Sequence, residues 1–215
     1  MDTVTAAGTS ETRILIPNIA WDIFESLAAS DCAGTRFAYD KGLLEITSPS
    51  IEHEWFHRLL GRMVEAMTEE LNIPILSAGS TTLKLQLKER GLEPDECYYL
   101  ENEAKMRGKR ELDLAVDPPP DLAIEVDISR SSLNKLSIYA DIGVPEVWLY
   151  DGQSLRSHQL QSDGAYVEQT ASRWFPFLDL REVERFLEKF DPLGETAWIR
   201  CFRSWIREHF GPMAG

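Results

Sequence analysis

The chain has 215 residues, 43% hydrophobic and 27% charged, which suits one soluble domain with its own core and excludes a fibrous or disordered polymer. With 22 Lys and Arg against 36 Asp and Glu the net charge is −14. The molecule therefore lacks the overall basic excess by which non-specific nucleic-acid binders release counterions, and a nucleic-acid role would need a local basic patch, a metal ion, or both. No apolar run is long enough to span a membrane, and the first ten residues lack the layout of a secretory signal. Three scattered cysteines without a CxxC pair fit a reducing cytoplasm and disfavour a cysteine-built zinc site.

Residues 1–12 read as a disordered tail, 13–170 as the main domain and 171–215 as a C-terminal helical extension packed on it. Trp21, Phe24 and Leu27 recur at helical spacing, predicting a helix over Ile19–Ala28. Arg36–Tyr39 and Leu43–Ser48 flank Asp40-Lys41-Gly42 and predict a hairpin. Ser48-Pro49-Ser50 opens a helix that runs to about Leu71, and its apolar stripe includes Trp55, Leu59, Leu60, Met63, Val64, Met67 and Leu71. Thr82–Lys88 alternates leucine with polar residues, as a half-buried strand does. Asp95–Leu100 and Asp121–Ile128 are further strands, separated by a polar, basic loop over 101–112 and the stiff Pro118-Pro119-Pro120. A helix over Ser131–Ile142 stops at Gly143, a strand follows over Val144–Tyr150, then a polar hairpin, and helices over Leu178–Phe190 and Glu195–Phe210. Strands interrupted by a helical crossover predict a mixed α/β sheet flanked by helices.

The strand Asp121–Ile128 carries the chemical signal. Leu122, Ile124, Val126 and Ile128 share one face; Asp121, Glu125 and Asp127 share the other with Ala123. Three carboxylates on one face of an otherwise apolar strand repel one another and lose hydration on burial, costs that a hard divalent cation such as magnesium or manganese would relieve. The same pattern also describes a solvent-facing strand with ordinary charges. A further acid, Asp95, follows Pro94 at the mouth of a strand, where it can join one or two carboxylates of the next strand on a single metal. Lys135 begins the following helix, eight residues past Asp127, from where it either reaches back to the carboxylates or lies on the helix surface. Lys105, Arg107, Lys109 and Arg110 form the densest basic cluster, which either borders the same cleft and holds a nucleic-acid backbone or is a solvated loop.

These segments, GLEPDECYYLENEAKMRGKRELDLAVDPPPDLAIEVDISRSSLNKLSIYADIGVPEVWLYDG together with the earlier TSPSIEHEW, resemble the Uma-type restriction-endonuclease-like proteins over about Ile14 to Gln169. The resemblance implies the PD-(D/E)xK nuclease fold, with Pro94-Asp95 supplying the first acid and Glu125 the second. Where that pattern has a lysine this chain has Asp127, and the resemblance makes Lys135 on the next helix the matching cation. It further implies a DNA endonuclease in which Asp95, Glu125 and the Val126 carbonyl hold magnesium or manganese. Lys135 would orient the attacking water, Asp127 would join the metal shell, His53 would stand near the site, and Ser129 and Arg130 would touch phosphate. Nucleases of this kind often act as homodimers.

Two other classes remain open. A non-catalytic member would use the fold for binding or regulation, a reading favoured by the acidic balance and the absent strand lysine. His53-Glu54-Trp55-Phe56-His57 is also a literal HExxH on a predicted helix, the spacing of a zinc metalloprotease, though no third ligand is well placed.

Overall fold

The computed structural model describes residues 11–30, 34–129 and 131–211. Most of the expected tail, together with Cys32 and Arg130, lies outside those residues, and Thr12 already begins the first strand. In chain order the elements are β1 (Thr12–Ile16), α1 (Trp21–Ala28), β2 (Arg36–Asp40), β3 (Leu43–Ser48), α2 (Ile51–Glu70), β4 (Leu76–Ser77), β5 (Leu83–Leu85), β6 (Arg90–Leu92), β7 (Glu96–Tyr99) and α3 (Glu103–Met106). There follow β8 (Leu122–Val126), α4 (Lys135–Ile142), β9 (Glu146–Tyr150), β10 (Leu155–Leu160), β11 (Tyr166–Gln169), α5 (Leu180–Glu188), α6 (Phe190–Leu193) and α7 (Glu195–Phe210).

The strands form two sheets rather than one. A five-stranded sheet runs β1-β3-β2-β6-β5, all antiparallel, and a six-stranded sheet runs β11-β10-β9-β8-β7-β4. In the second sheet β8 and β9 pair in parallel across the α4 crossover, and every other pairing is antiparallel. Alternation along β8 and its neighbours divides the core. Tyr98, Leu122, Ile124, Val126 and Trp148 face a layer in which α2 packs with Phe186, Trp198 and Phe202 of α5 and α7. Cys97, Ala123 and Val147 face the other way, onto Ile138 and Tyr139 of α4 and onto Ala38, Leu83 and Leu92 of the five-stranded sheet.

Several expected elements change where polar contacts compete with pattern. The helix expected from Ser131 starts at Lys135, because the Ser131 amide donates to Asp127 and the Ser132 amide to Glu45. Asn134 then caps it, accepting from Ser137, and Gly143 stops it at φ 90°. The strand expected over Thr82–Lys88 ends at Leu85. A 3-10 turn over Gln86–Lys88 and a left-handed Glu89 reverse the chain so that Arg90 pairs back to Leu85, which leaves Leu87 95% exposed. On α2, capped by the Ser50 hydroxyl, the buried face begins with His53 and His57, and Trp55, about 200° around the helix from His53, is exposed instead of entering the core.

Two glycines mark close approaches. Gly61 lies on the buried face of α2, and a Cβ there would stand 3.0 Å from the Tyr98 hydroxyl and 3.2 Å from Glu96. At Gly91 of β6 a Cβ would stand 2.7 Å from the buried Phe24 ring and 3.0 Å from the Leu83 carbonyl. Phe24 is itself stacked on Tyr39 and cannot swing aside. Gly91→Ala should therefore cost about 1–3 kcal/mol, read as a lowered midpoint in chemical denaturation with an unchanged slope.

Candidate active site at the paired ends of β7 and β8

The register of β7 and β8 pairs Cys97 with Ala123 and Glu96 with Ile124. One step further along, Asp95 falls opposite Glu125, so two acids 30 positions apart in the chain meet at one end of the sheet. Asp95 is held there by main chain, its Oδ2 accepting from the Val126 amide at 2.8 Å. Helices approach from both faces of the sheet. From α2, His53 Nε2 stands 3.3 Å from Asp95 Oδ2. From α4, Lys135 Nζ donates to Glu125 Oε2 at 2.6 Å, and the Tyr139 hydroxyl one turn later donates to Glu125 Oε1. Asp95, Glu125 and His53 are all buried, and the Lys135 side chain is 16% exposed.

The charges support one another. Burial opposes ionisation of Asp95, but the hydrogen bond and charge of His53, the charge of Lys135 and the Val126 amide outweigh it, and its pKa falls to about 2. Burial disfavours the imidazolium of His53, yet the hydrogen bond and charge of Asp95 raise its pKa above 6.5. Burial pushes the Glu125 carboxyl up against the pull of Lys135, and the charges of Glu125 and Asp95 more than offset burial at Lys135, whose pKa is raised. A second pair continues along α2. His57 Nε2 contacts Glu54 at 2.8 Å and its Nδ1 lies 3.7 Å from Glu96, so its pKa is also raised against burial. Arg36 of β2 closes the open side, with Nε 4.0 Å from Asp95 Oδ1.

Of the acids expected to share one strand face, only Glu125 joins Asp95. Alternation holds within β8 but ends at both of its limits. Asp121 turns away to accept from the amides of Leu100 and Asn102 and from the Asn102 side chain, clamping the loop after β7. Asp127 pairs with Arg13 of β1 at 2.8 Å and accepts from the Ser131 amide. The basic cluster leaves β7 at the opposite end of the sheet from Asp95, about 13 Å of strand away from Glu125. Arg107 there is paired with Glu103, Lys109 with Asp117, and Lys105 with Asn102. The structure thus separates Lys105, Arg107, Lys109 and Arg110 from the acids that sequence proximity suggested they border.

The HExxH spacing makes helix-to-strand contacts. Each imidazole turns its Nε2 to a carboxylate, the rings are 6.0 Å apart, and Glu54 is the partner of His57. Among the described residues no group of three or more His, Cys, Asp or Glu side chains is arranged to hold a metal. Two adjacent carboxylates do fit a hard cation such as magnesium, which is usually held by one or two carboxylates and keeps much of its water. Asp95 Oδ1 accepts no hydrogen bond from any described residue.

The sequence model of the Uma2 family, described as "Putative restriction endonuclease", matches residues 21–193. The chain belongs to this family. In the search of solved structures it resembles a crystal structure titled as a putative nuclease belonging to DUF820 from Anabaena variabilis. Identity is 14% over 87% of this chain and 99% of that one, with a TM-score of 0.53, a likeness of fold. The search of curated proteins found no match. The Uma2 match starts at α1, after β1, covers the other strands of both sheets and runs through α6.

Tyr139 and Arg36 are site residues that pattern reading missed. Tyr139 has a signal, since it lies four positions after Lys135 and so shares its helix face. Arg36 has none, because it comes from the other sheet.

The proton on His53 adds stability that is complete below pH 6.5 and is lost as pH rises through its higher folded-state value. The depressed Asp95 adds stability that is present above pH 3.8 and is lost as pH falls toward 2. Asp95→Asn removes the hydrogen bond and charge that hold the His53 proton and leaves burial and the charge of Lys135 opposed only by the weaker pull of Glu11. The His53 pKa, followed by imidazole NMR titration, should drop below 6.5. A value that stays raised would refute the coupling.

Proposed function

We propose that the protein is a metal-dependent endonuclease that hydrolyses phosphodiester bonds in DNA, using Asp95, Glu125, Lys135 and His53. The observation that carries this reading is the Lys135 ammonium, delivered from α4 to within 2.6 Å of Glu125 at the strand ends where Asp95 is also buried. It supplies from a helix the cation absent at position 127, and membership of a restriction-endonuclease-like family agrees with it.

Asp95 and Glu125, with the Val126 carbonyl, would hold magnesium or manganese. Bound there, the ion would supply Lewis acidity toward the phosphate and lower the pKa of water. The protein's own groups would do the rest. Lys135 would exchange one Glu125 hydrogen bond for the attacking water and offset charge developing on the phosphate. Tyr139 would keep the Glu125 carboxylate oriented, and Asp95 would keep the His53 imidazole protonated beside the site. Cleaving both strands of a duplex would call for two copies of the chain, and a reducing cytoplasm suits Cys97 and Cys201, neither of which is in a disulfide.

The test is cleavage of supercoiled plasmid and of single-stranded DNA in magnesium, manganese or EDTA. Metal-dependent nicking is expected. Glu125→Ala and Lys135→Ala should each lower the rate by at least about 100-fold. Activity unaffected by Lys135→Ala would remove the lysine from the mechanism. Absence of cleavage in any metal would favour a non-catalytic binding protein, the reading toward which Asp127 and the −14 charge point.

A further inference from the structure

Beside the acids, at the same end of β8, Arg13 gathers three carboxylates: Glu11, Glu45 of β3 and Asp127. The three are not equivalent. Glu45 also accepts from the Ser131 hydroxyl and the Ser132 amide, and Asp127 from the Ser131 amide, so each is fixed by the loop whatever Arg13 does. Among the described residues Glu11 has Arg13 and the Ser129 hydroxyl alone. Arg13 Nε reaches Glu11 Oε1 at 2.6 Å, Arg13 Nη2 reaches the same oxygen, and Ser129 donates to it as well. Its other oxygen, Oε2, is buried without any hydrogen-bond partner, although the side chain is only 3% exposed. A buried anionic oxygen with no donor among the described residues is costly.

An anion held by one guanidinium and one hydroxyl beside a nuclease-like acid pair has the surroundings of a phosphate oxygen. The position fits the neighbouring site, since the charge of Glu11 is felt at His53 and that of Arg13 at Lys135. We infer that Arg13 and Ser129 form a subsite for a backbone phosphate of the nucleic-acid substrate, and that Glu11 occupies it as an internal stand-in which the substrate must displace. This deepens the nuclease reading and rests on it for the identity of the ligand. Arg13 would then be a substrate-binding residue and Glu11 a built-in competitor that weakens binding in the free protein.

The test separates binding from cleavage. Fluorescence anisotropy with a labelled DNA duplex in EDTA, where no metal-dependent cleavage occurs, compares the intact chain with Glu11→Gln and Glu11→Ala. Both variants should bind about tenfold tighter. The slope of log K against log salt should steepen by about 0.9, the signature of one more phosphate contact. Arg13→Ala, or Arg13→Lys if the alanine variant is unstable, should abolish the gain when combined with Glu11→Gln. Glu168→Gln, which removes an equal charge from the exposed strand β11, should leave binding unchanged. Glu11 variants that bind no tighter, a gain that survives loss of the Arg13 fork, an equal gain from Glu168→Gln, or no DNA binding by any variant would each overturn the subsite. Cleavage by the intact chain without a Glu11 effect would leave the nuclease reading standing and the subsite refuted. A Glu11 effect that runs through Arg13, in a chain that never cleaves, would do the reverse.

Discussion

The hydrogen bond from the Val126 amide to Asp95 closes the β7–β8 ladder at the point where main-chain pairing stops. It is one bond of ordinary length, but it fixes an ionised side chain against the end of a central strand. The remaining site groups are placed with respect to it. Glu125 lies across the ladder from Asp95, and α2 and α4 arrive on opposite faces of the sheet with an imidazole and an ammonium. An acid at that position without the amide, the imidazole and the nearby ammonium would be pushed toward its neutral form by burial. The arrangement keeps it charged by surrounding it with donors that the fold has already immobilised. In the proposed nuclease reaction such donors would not have to be gathered as the reaction proceeds.

Two other buried acids of the sheet show a contrasting use. Glu146 accepts from the Trp148 indole, the Ser157 and Ser172 hydroxyls and the Arg173 amide, so its capacity is filled and it ties β9 and β10 to the segment before α5. Asp121 is filled in the same way by the loop after β7. Asp95 differs, since among the described residues its Oδ1 has no donor, and besides the Val126 amide its neighbours are the side chains of His53 and Arg36.

Much of this was legible in the residues. Two strands and a proline put Asp95 within reach of the acids of the next strand, whereas the choice of Glu125 as its partner and of Lys135 as the cation comes from the family resemblance, since by itself Lys135 reads as well as a helix-surface residue. The local blocks were legible because each depends on short-range pattern: Ser50 before an apolar stripe, Gly143 after one, and alternation within Leu122–Val126. What escaped the reading depends on long-range contacts. Asp127 was grouped with Glu125 by period-two spacing, yet Arg13, 114 positions earlier, claims it. The basic run at 105–110 lies between the two acids in sequence and at the far end of the sheet in space, because an antiparallel return carries the chain away before bringing it back. Helical spacing puts Trp55 in the apolar stripe, but the first turns of the buried face of α2 hold two histidines whose carboxylate partners come from outside the helix or from a neighbouring turn.

Gly61 lies two turns along α2 from His53, and a helix interior ordinarily disfavours glycine by about 1 kcal/mol relative to alanine. Its bare Cα lets α2 settle against Tyr98 and Glu96 of β7. That fixes the stand-off between helix and sheet, and so the reach His53 needs to touch Asp95. One missing methyl group thus acts as a spacer gauge for a contact in which it takes no part. Homologous chains carrying a larger residue at this position would have to recover the reach elsewhere, through a longer side chain at position 53 or a tilted helix. The calibration of the site and the composition of its donor set can therefore drift independently.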